Sequence, residues 1–157
     1  MEYFDPLSRP FWVTIGYALA CGGVVGLERQ LRGKPAGVRT SMLICLGTAI
    51  FVDLGVSASG AAGDPARVLG QVVTGVGFIG AGVIISDAGT VVGVTTAAVI
   101  WLLAAVGAAI GLGYHLGALA LALVAVGVLV GVELIESAAR RLSSGPRRAS
   151  GESATDE

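Results

Sequence analysis

The chain has 157 residues, 54% of them hydrophobic and 13% charged, with a formal net charge of −1 and a mean hydropathy of +0.83. Soluble domains carry roughly 25% charged residues, so this composition excludes an ordinary soluble enzyme, and the near-zero net charge offers nothing to nucleic acid. The few charges sit at the borders of apolar runs, the pattern of a polytopic membrane protein.

A spanning helix needs about 20 mostly apolar residues, and five segments qualify in chain order: 11–27, 41–59, 68–86, 91–111 and 114–135. The expected fold is all-α, a five-transmembrane-helix bundle over residues 1–142, with a polar, disordered cytoplasmic tail at 143–157. Ahead of the first segment stand Glu2, Asp5 and Arg9. A secretory signal wants a basic start, so the segment is read as a retained helix, although Ala18, Leu19 and Ala20 precede Cys21. The next loop carries Arg29, Arg32, Lys34 and Arg39, and the tail carries Arg140, Arg141, Arg147 and Arg148. Lys and Arg are retained on the cytoplasmic side, which requires an even number of spans between these clusters. Four satisfy this and leave the N-terminus and the 57–67 loop outside. Gly89 and the Gly111/Gly113 pair are the expected turn points in the long apolar stretch from Val68 to Ile135.

Glycine occurs 25 times. Gly22/Gly26, Gly107/Gly111, Gly113/Gly117 and Gly127/Gly131 have the small-xxx-small spacing that lets membrane helices approach closely, within one chain or between copies. Cys21 and Cys45 are isolated in apolar segments and read as buried free thiols.

Motifs for catalysis are absent. Gly75, Gly77 and Gly80 match GxGxxG formally, but no strand precedes them and no acidic residue follows at the required distance, so they read as a helix-packing face. Neither a phosphate-binding loop nor HExxH nor GxSxG occurs, and His115 is the single histidine. The expectation is a protein that is not an enzyme.

Two polar groups stand out. Asp53 lies about 18 Å into the second segment, inside the hydrocarbon layer, where an ionisable residue is costly. Arg67 and Gln71 enter from the same side as its natural partners, for a structural pair or a step in an ion pathway. At the opposite side the topology gathers Glu28, Arg29, Arg39 and Thr40 with Asp87, Thr90, Thr95 and Thr96, and brings Glu133 and Glu136 to the same level, with Arg140 four residues beyond Glu136. Such oxygen ligands suit hydrated Mg²⁺, while snorkelling charges and helix caps account for the same residues. No motif demands a cofactor. Within this group Glu28 is expected to pair with Arg39 near Thr96, and Arg32 to be a solvated orientation charge.

Three blocks then stand in order: GLERQLRGKPAGVRTSMLICLGTAIF at Gly26–Phe51, RVLGQVVTGVGFIGAGVII at Arg67–Ile85, and GVTTAAVIWLLAAVGAAIGLG at Gly93–Gly113. Together they resemble the MgtC/SapB family of bacterial inner-membrane proteins, over roughly residues 10–135. The positions carrying the resemblance are Glu28, Arg29, Gly37, Arg39 and Thr40, then Arg67, Gln71, Gly75, Gly77, Gly80 and Gly82, and finally Gly93, Thr95, Thr96 and Trp101. It implies a five-span module in the inner membrane with a cytoplasmic C-terminus and a role in adaptation to low Mg²⁺. It also implies action by contact, with a second copy or with a membrane complex such as the proton-translocating ATP synthase. The alternative from another class is a small Mg²⁺ or H⁺ transporter or channel. Val92 and Leu102 depart from the family pattern, Asp53 lies outside it, and only a short polar tail follows the last span where better-known members continue into a soluble domain.

Overall fold

A computed structural model describes residues 5–59, 64–87 and 90–143, with side chains through residue 140 apart from Ser59 and Asp87. Five helices account for most of it: α1 (Arg9–Leu31), α2 (Val38–Ser59), α3 (Pro65–Gly82), α4 (Val94–Gly111) and α5 (His115–Ser143). Their ends follow local chemistry. Ser8 caps α1 by accepting from the Phe11 amide at 3.4 Å, and Asp64 caps α3 by accepting from the Ala66 amide at 2.9 Å, with Pro65 as the first helical residue. Left-handed residues Gly33 and Ala36 turn the chain from α1 into α2, and Gly113 turns it from α4 into α5.

Between α3 and α4 lies a short antiparallel hairpin, β1 (Ile85–Asp87) with β2 (Thr90–Val92), in which Ile85 pairs with Val92 and Asp87 with Thr90. This corrects the sequence reading, which ran the third span to residue 86 and began the fourth at 91. The β-branched residues after Gly82 favour extended backbone. Gly93 closes the hairpin in the left-handed region at φ +91°, where a Cβ would collide with the Val83 carbonyl. Gly89 lies outside the described residues.

Helix α2 is packed from two sides by glycine. A Cβ on Gly22 of α1 would stand 2.7 Å from the Ser41 carbonyl oxygen, and one on Gly26 would stand 2.6 Å from Val38 Cα. Across α2, a Cβ on Gly107 or Gly111 of α4 would come within 2.5 Å of the Cys45 or Ala49 carbonyl oxygen, respectively. These two glycine pairs therefore serve packing within the chain. Cys21 and Cys45 are both free and buried, beside a core that includes Val25, Val52, Leu103 and Val106.

The first turns of α5 bury Ala118, Ala122 and Ala125 on one stripe, and the His115 ring lies 4.9 Å from that of Tyr17. From Gly127 onward the chain forms a separate compact unit. There the exposed helix carries the expected Glu136–Arg140 ion pair at 3.3 Å, and a Cβ on Gly127 or Gly131 would meet no described residue of another segment within 4 Å. Helix α5 continues to Ser143, beyond the expected span end at 135, and the rest of the expected tail, 144–157, lies outside the described residues.

Helices α1, α2, α4 and α5 are long and apolar enough to cross a membrane. The remaining helix, α3, has 18 residues and includes Arg67 and Gln71. The architecture is an all-α membrane bundle with one small hairpin.

Candidate functional site

The last turns of α1 bring three charges to the end of the bundle where α4 begins. Glu28 and Arg29 are only 8% and 4% exposed, and Thr96, in the first turn of α4, is 4% exposed. The Arg29 guanidinium donates through Nη2 to Thr96 Oγ1 at 3.0 Å, tying α1 to α4. Glu28 Oε1 is engaged by Arg32 Nε at 2.7 Å. Ser41, fully buried at the start of α2, donates from its hydroxyl to the Ala36 carbonyl at 3.0 Å and holds the connecting loop.

The Glu28–Arg39 pair expected from the sequence does not form, because Arg32, the residue just past the end of α1 and four beyond Glu28, reaches it without crossing between helices. Arg32 is thus part of the network, and Arg39 is exposed on α2. Sequence reasoning missed both Arg32 and Ser41, although the i,i+4 spacing from Glu28 signalled the first. Glu28 Oε2 and Arg29 Nε, both buried, have no hydrogen-bond partner among the described residues, where such groups are normally satisfied.

Other expected site residues are dispersed. Thr95 and Trp101 are exposed on α4, Thr40 on α2, Thr90 on β2, and Arg67 and Gln71 on α3. The Asp87 side chain lies outside the described residues. Asp53 is half-buried and makes no hydrogen bond or ion pair with a described residue, Arg67 and Gln71 included. Glu133 and Glu136 belong to the separate unit of α5. Among the described residues no group of three or more His, Cys, Asp or Glu could hold a metal ion.

Helix α3 also departs from the expected glycine packing face. Gly80 approaches Ala97 of α4 at 3.7 Å from the position of a Cβ, but Gly75, Gly77 and Gly82 meet nothing within 4 Å. Two faces result. On one, α3 stands away from α2 and leaves a groove of about 710 Å³ lined by apolar side chains, with Arg39 and Thr40 among its walls. On the opposite face Gly70, Thr74, Gly77 and Ala81, at i, i+4, i+7 and i+11, form an exposed stripe of small residues. Thr74 spends its hydroxyl on the Gly70 carbonyl of its own helix at 2.9 Å, and Phe78 stands beside the stripe, 83% exposed.

Long apolar helices, glycine-on-backbone packing and a charged network at one end define a helical integral membrane protein. The family model described as MgtC family matches residues 15–138, and the chain belongs to that family. It is 50% identical over 108 residues to the Escherichia coli K12 protein named "Putative magnesium transporter YhiD", covering 64% of this chain and 50% of that protein. It is 36% identical over 146 residues to protein MgtC of Salmonella typhimurium strain LT2, covering 93% and 61% respectively. With protein MgtC of Brucella abortus it shares 41% identity over 109 residues, or 65% of this chain and 45% of that one. The chain thus spans about half to three-fifths of the length of these curated relatives. No solved structure matches.

Proposed function

We propose that this chain is the membrane module of a non-enzymatic regulator or accessory protein in Mg²⁺ limitation and envelope homeostasis, acting by helix contact with a second copy or with a membrane complex such as the ATP synthase. The observation that carries this reading is the open stripe Gly70, Thr74, Gly77 and Ala81 on α3. Elsewhere in the molecule glycine is used to bring helix backbones together, at Gly22, Gly26, Gly107 and Gly111. Small residues on a membrane helix serve close helix approach, and on this stripe a Cβ on Gly70 or Gly77 would meet no described residue within 4 Å. The names of the relatives that refer to magnesium support the physiological setting.

In this reading the module lies in the bacterial inner membrane with its N-terminus outside and its C-terminus cytoplasmic. The basic residues of the α1–α2 loop face the cytoplasm. Helix α3 crosses as the third of five spans: its 18 residues reach about 27 Å, and Arg67 in its first turn can extend its cation to the interface. A photocrosslinking residue replacing Phe78 should capture a second copy or another membrane protein in native membranes, and Gly77→Leu should abolish that capture while the protein stays folded. Unchanged capture by Gly77→Leu would remove the basis for this reading.

A second reading, a small Mg²⁺ or H⁺ transporter, is favoured by Asp53, a half-buried carboxylate within α2 without a partner among the described residues, and by the name of the Escherichia coli relative. Flux of Mg²⁺ or H⁺ into vesicles that disappears with Asp53→Asn would make it the better reading.

A further inference from the structure

Helices α2 and α3 enclose a groove on the side of α3 away from the small-residue stripe. The groove exists because both walls carry glycine. A Cβ on Gly47 of α2 or on Gly75 of α3 would meet nothing within 4 Å, and both residues line the space of about 710 Å³. Leu43, Phe51, Val72 and Ile79 supply apolar walls, and the lining contains one charged residue, Arg39, and no acid. Arg39 is exposed and makes no hydrogen bond or ion pair with a described residue. It belongs to the first turn of α2, where backbone N–H groups lack intrahelical acceptors and the helix dipole presents its positive end.

We propose that this groove holds one acyl chain of an anionic phospholipid whose phosphate rests on Arg39. The dimensions select a lipid chain over a spanning helix. From Arg39 to Phe51 the groove runs about 18 Å along α2, close to the roughly 15 Å of one leaflet and well short of the roughly 30 Å hydrocarbon thickness that a transmembrane partner crosses. Charge selects the headgroup. A cation without a partner among the described residues, at one end of an apolar slot, complements an amphiphile with a negative head, and basic sites between membrane helices bind anionic headgroups by this chemistry. The Thr40 hydroxyl adds a hydrogen-bond donor at the same level, while the Val38 and Ser41 amides of this turn are already taken by Gln30 Oε1 at 3.4 Å and by the Gly37 carbonyl at 3.0 Å. Because the groove and the small-residue stripe lie on opposite faces of α3, lipid here leaves the stripe free for a protein contact.

Native mass spectrometry of the full chain, extracted in mild detergent and exchanged against vesicles of phosphatidylglycerol or phosphatidylethanolamine, tests the assignment. The unaltered chain should retain one phosphatidylglycerol with about fivefold preference over phosphatidylethanolamine, the contribution of one basic residue beside an anionic headgroup. Arg39→Gln, at an exposed position, should lose that preference, while Lys34→Gln, in the loop that precedes α2 and outside the groove, should keep it. Gly47→Leu and Gly75→Leu, at positions where an added Cβ meets nothing within 4 Å, should fill the groove and retain no lipid. Equal retention of the two lipids by the unaltered chain would overturn the proposal, as would a loss of preference in Lys34→Gln as large as in Arg39→Gln. Capture of a protein or a second copy by a photocrosslinking residue at Leu43 would show that a helix, and not a lipid, occupies the groove.

Discussion

Helix α2 meets its neighbours in two ways. Against α1 and α4 it is held at backbone distance, with Gly22 and Gly26 on one side and Gly107 and Gly111 on the other resting on its carbonyls and Cα atoms. Against α3 it closes at one end, where a Cβ on Gly55 would stand 2.7 Å from Val68 Cγ1, and stands off along the groove, where Gly47 and Gly75 face open space. The same residue type therefore closes contacts at some positions and leaves space at others. What differs is whether the neighbouring backbone comes close enough to use the missing side chain. Tight glycine seams build the fixed part of the bundle, and open glycines leave surface for something that is not part of the chain.

The sharpest way to break this contrast is to place one large side chain in each setting. Gly107→Leu drives a side chain into the Cys45 carbonyl and the Thr48 side chain. Overpacking of this kind costs about 3 kcal/mol or more when backbone must move, seen as loss of monodisperse protein in detergent and a collapse of thermal stability. Gly77→Leu, in open space, should change stability by less than about 0.5 kcal/mol. If the two behave alike, the distinction between closed and open glycines is wrong.

The charged network is the next test. Arg32→Ala strands the buried Glu28 carboxylate and should cost about 1–3 kcal/mol, whereas Arg39→Ala, at an exposed residue of the groove, should stay within about 0.5 kcal/mol. The double change Glu28→Ala with Arg32→Ala should cost less than the sum of the singles, because each single removes the same pair. Unfolding in a graded denaturing detergent measures all of these. Equal damage from Arg32→Ala and Arg39→Ala would return both to the role of orientation charges.

Gly93, where the hairpin meets α4, is a closed glycine of another kind, strained in φ as well as crowded. Gly93→Ala places a Cβ on a left-handed residue, at about 1–2 kcal/mol, and against the Val83 carbonyl. A lowered melting temperature with the oligomeric state unchanged is the expected result. Melting indistinguishable from the unaltered chain would mean that the β1–β2 hairpin does not constrain the entry into α4.

The membrane class, five helices and the family were legible in the sequence because each rests on local pattern: apolar runs of spanning length, basic loops and three ordered blocks. The burial of Glu28, Arg29 and Thr96 in one place was partly legible, since topology alone puts the end of α1 beside the start of α4. The partner of Glu28 was misread, because an inter-helix pair was weighed above the i,i+4 neighbour Arg32. Both strand ends of the hairpin, Ile85 and Ser86 on one side and Val91 and Val92 on the other, read as span ends, since a short apolar run rich in β-branched residues looks like membrane helix until Gly93 is seen in its left-handed turn. Only tertiary structure decided which glycines are closed and which open. Small-xxx-small spacing is a property of one helix, whereas contact depends on where a second backbone lies. For the same reason the open faces of α3 could not be read from its sequence: Gly75 and Gly77 sit two residues apart, and it is the placement of α2 and α4 that gives one of them to a groove and the other to a free stripe.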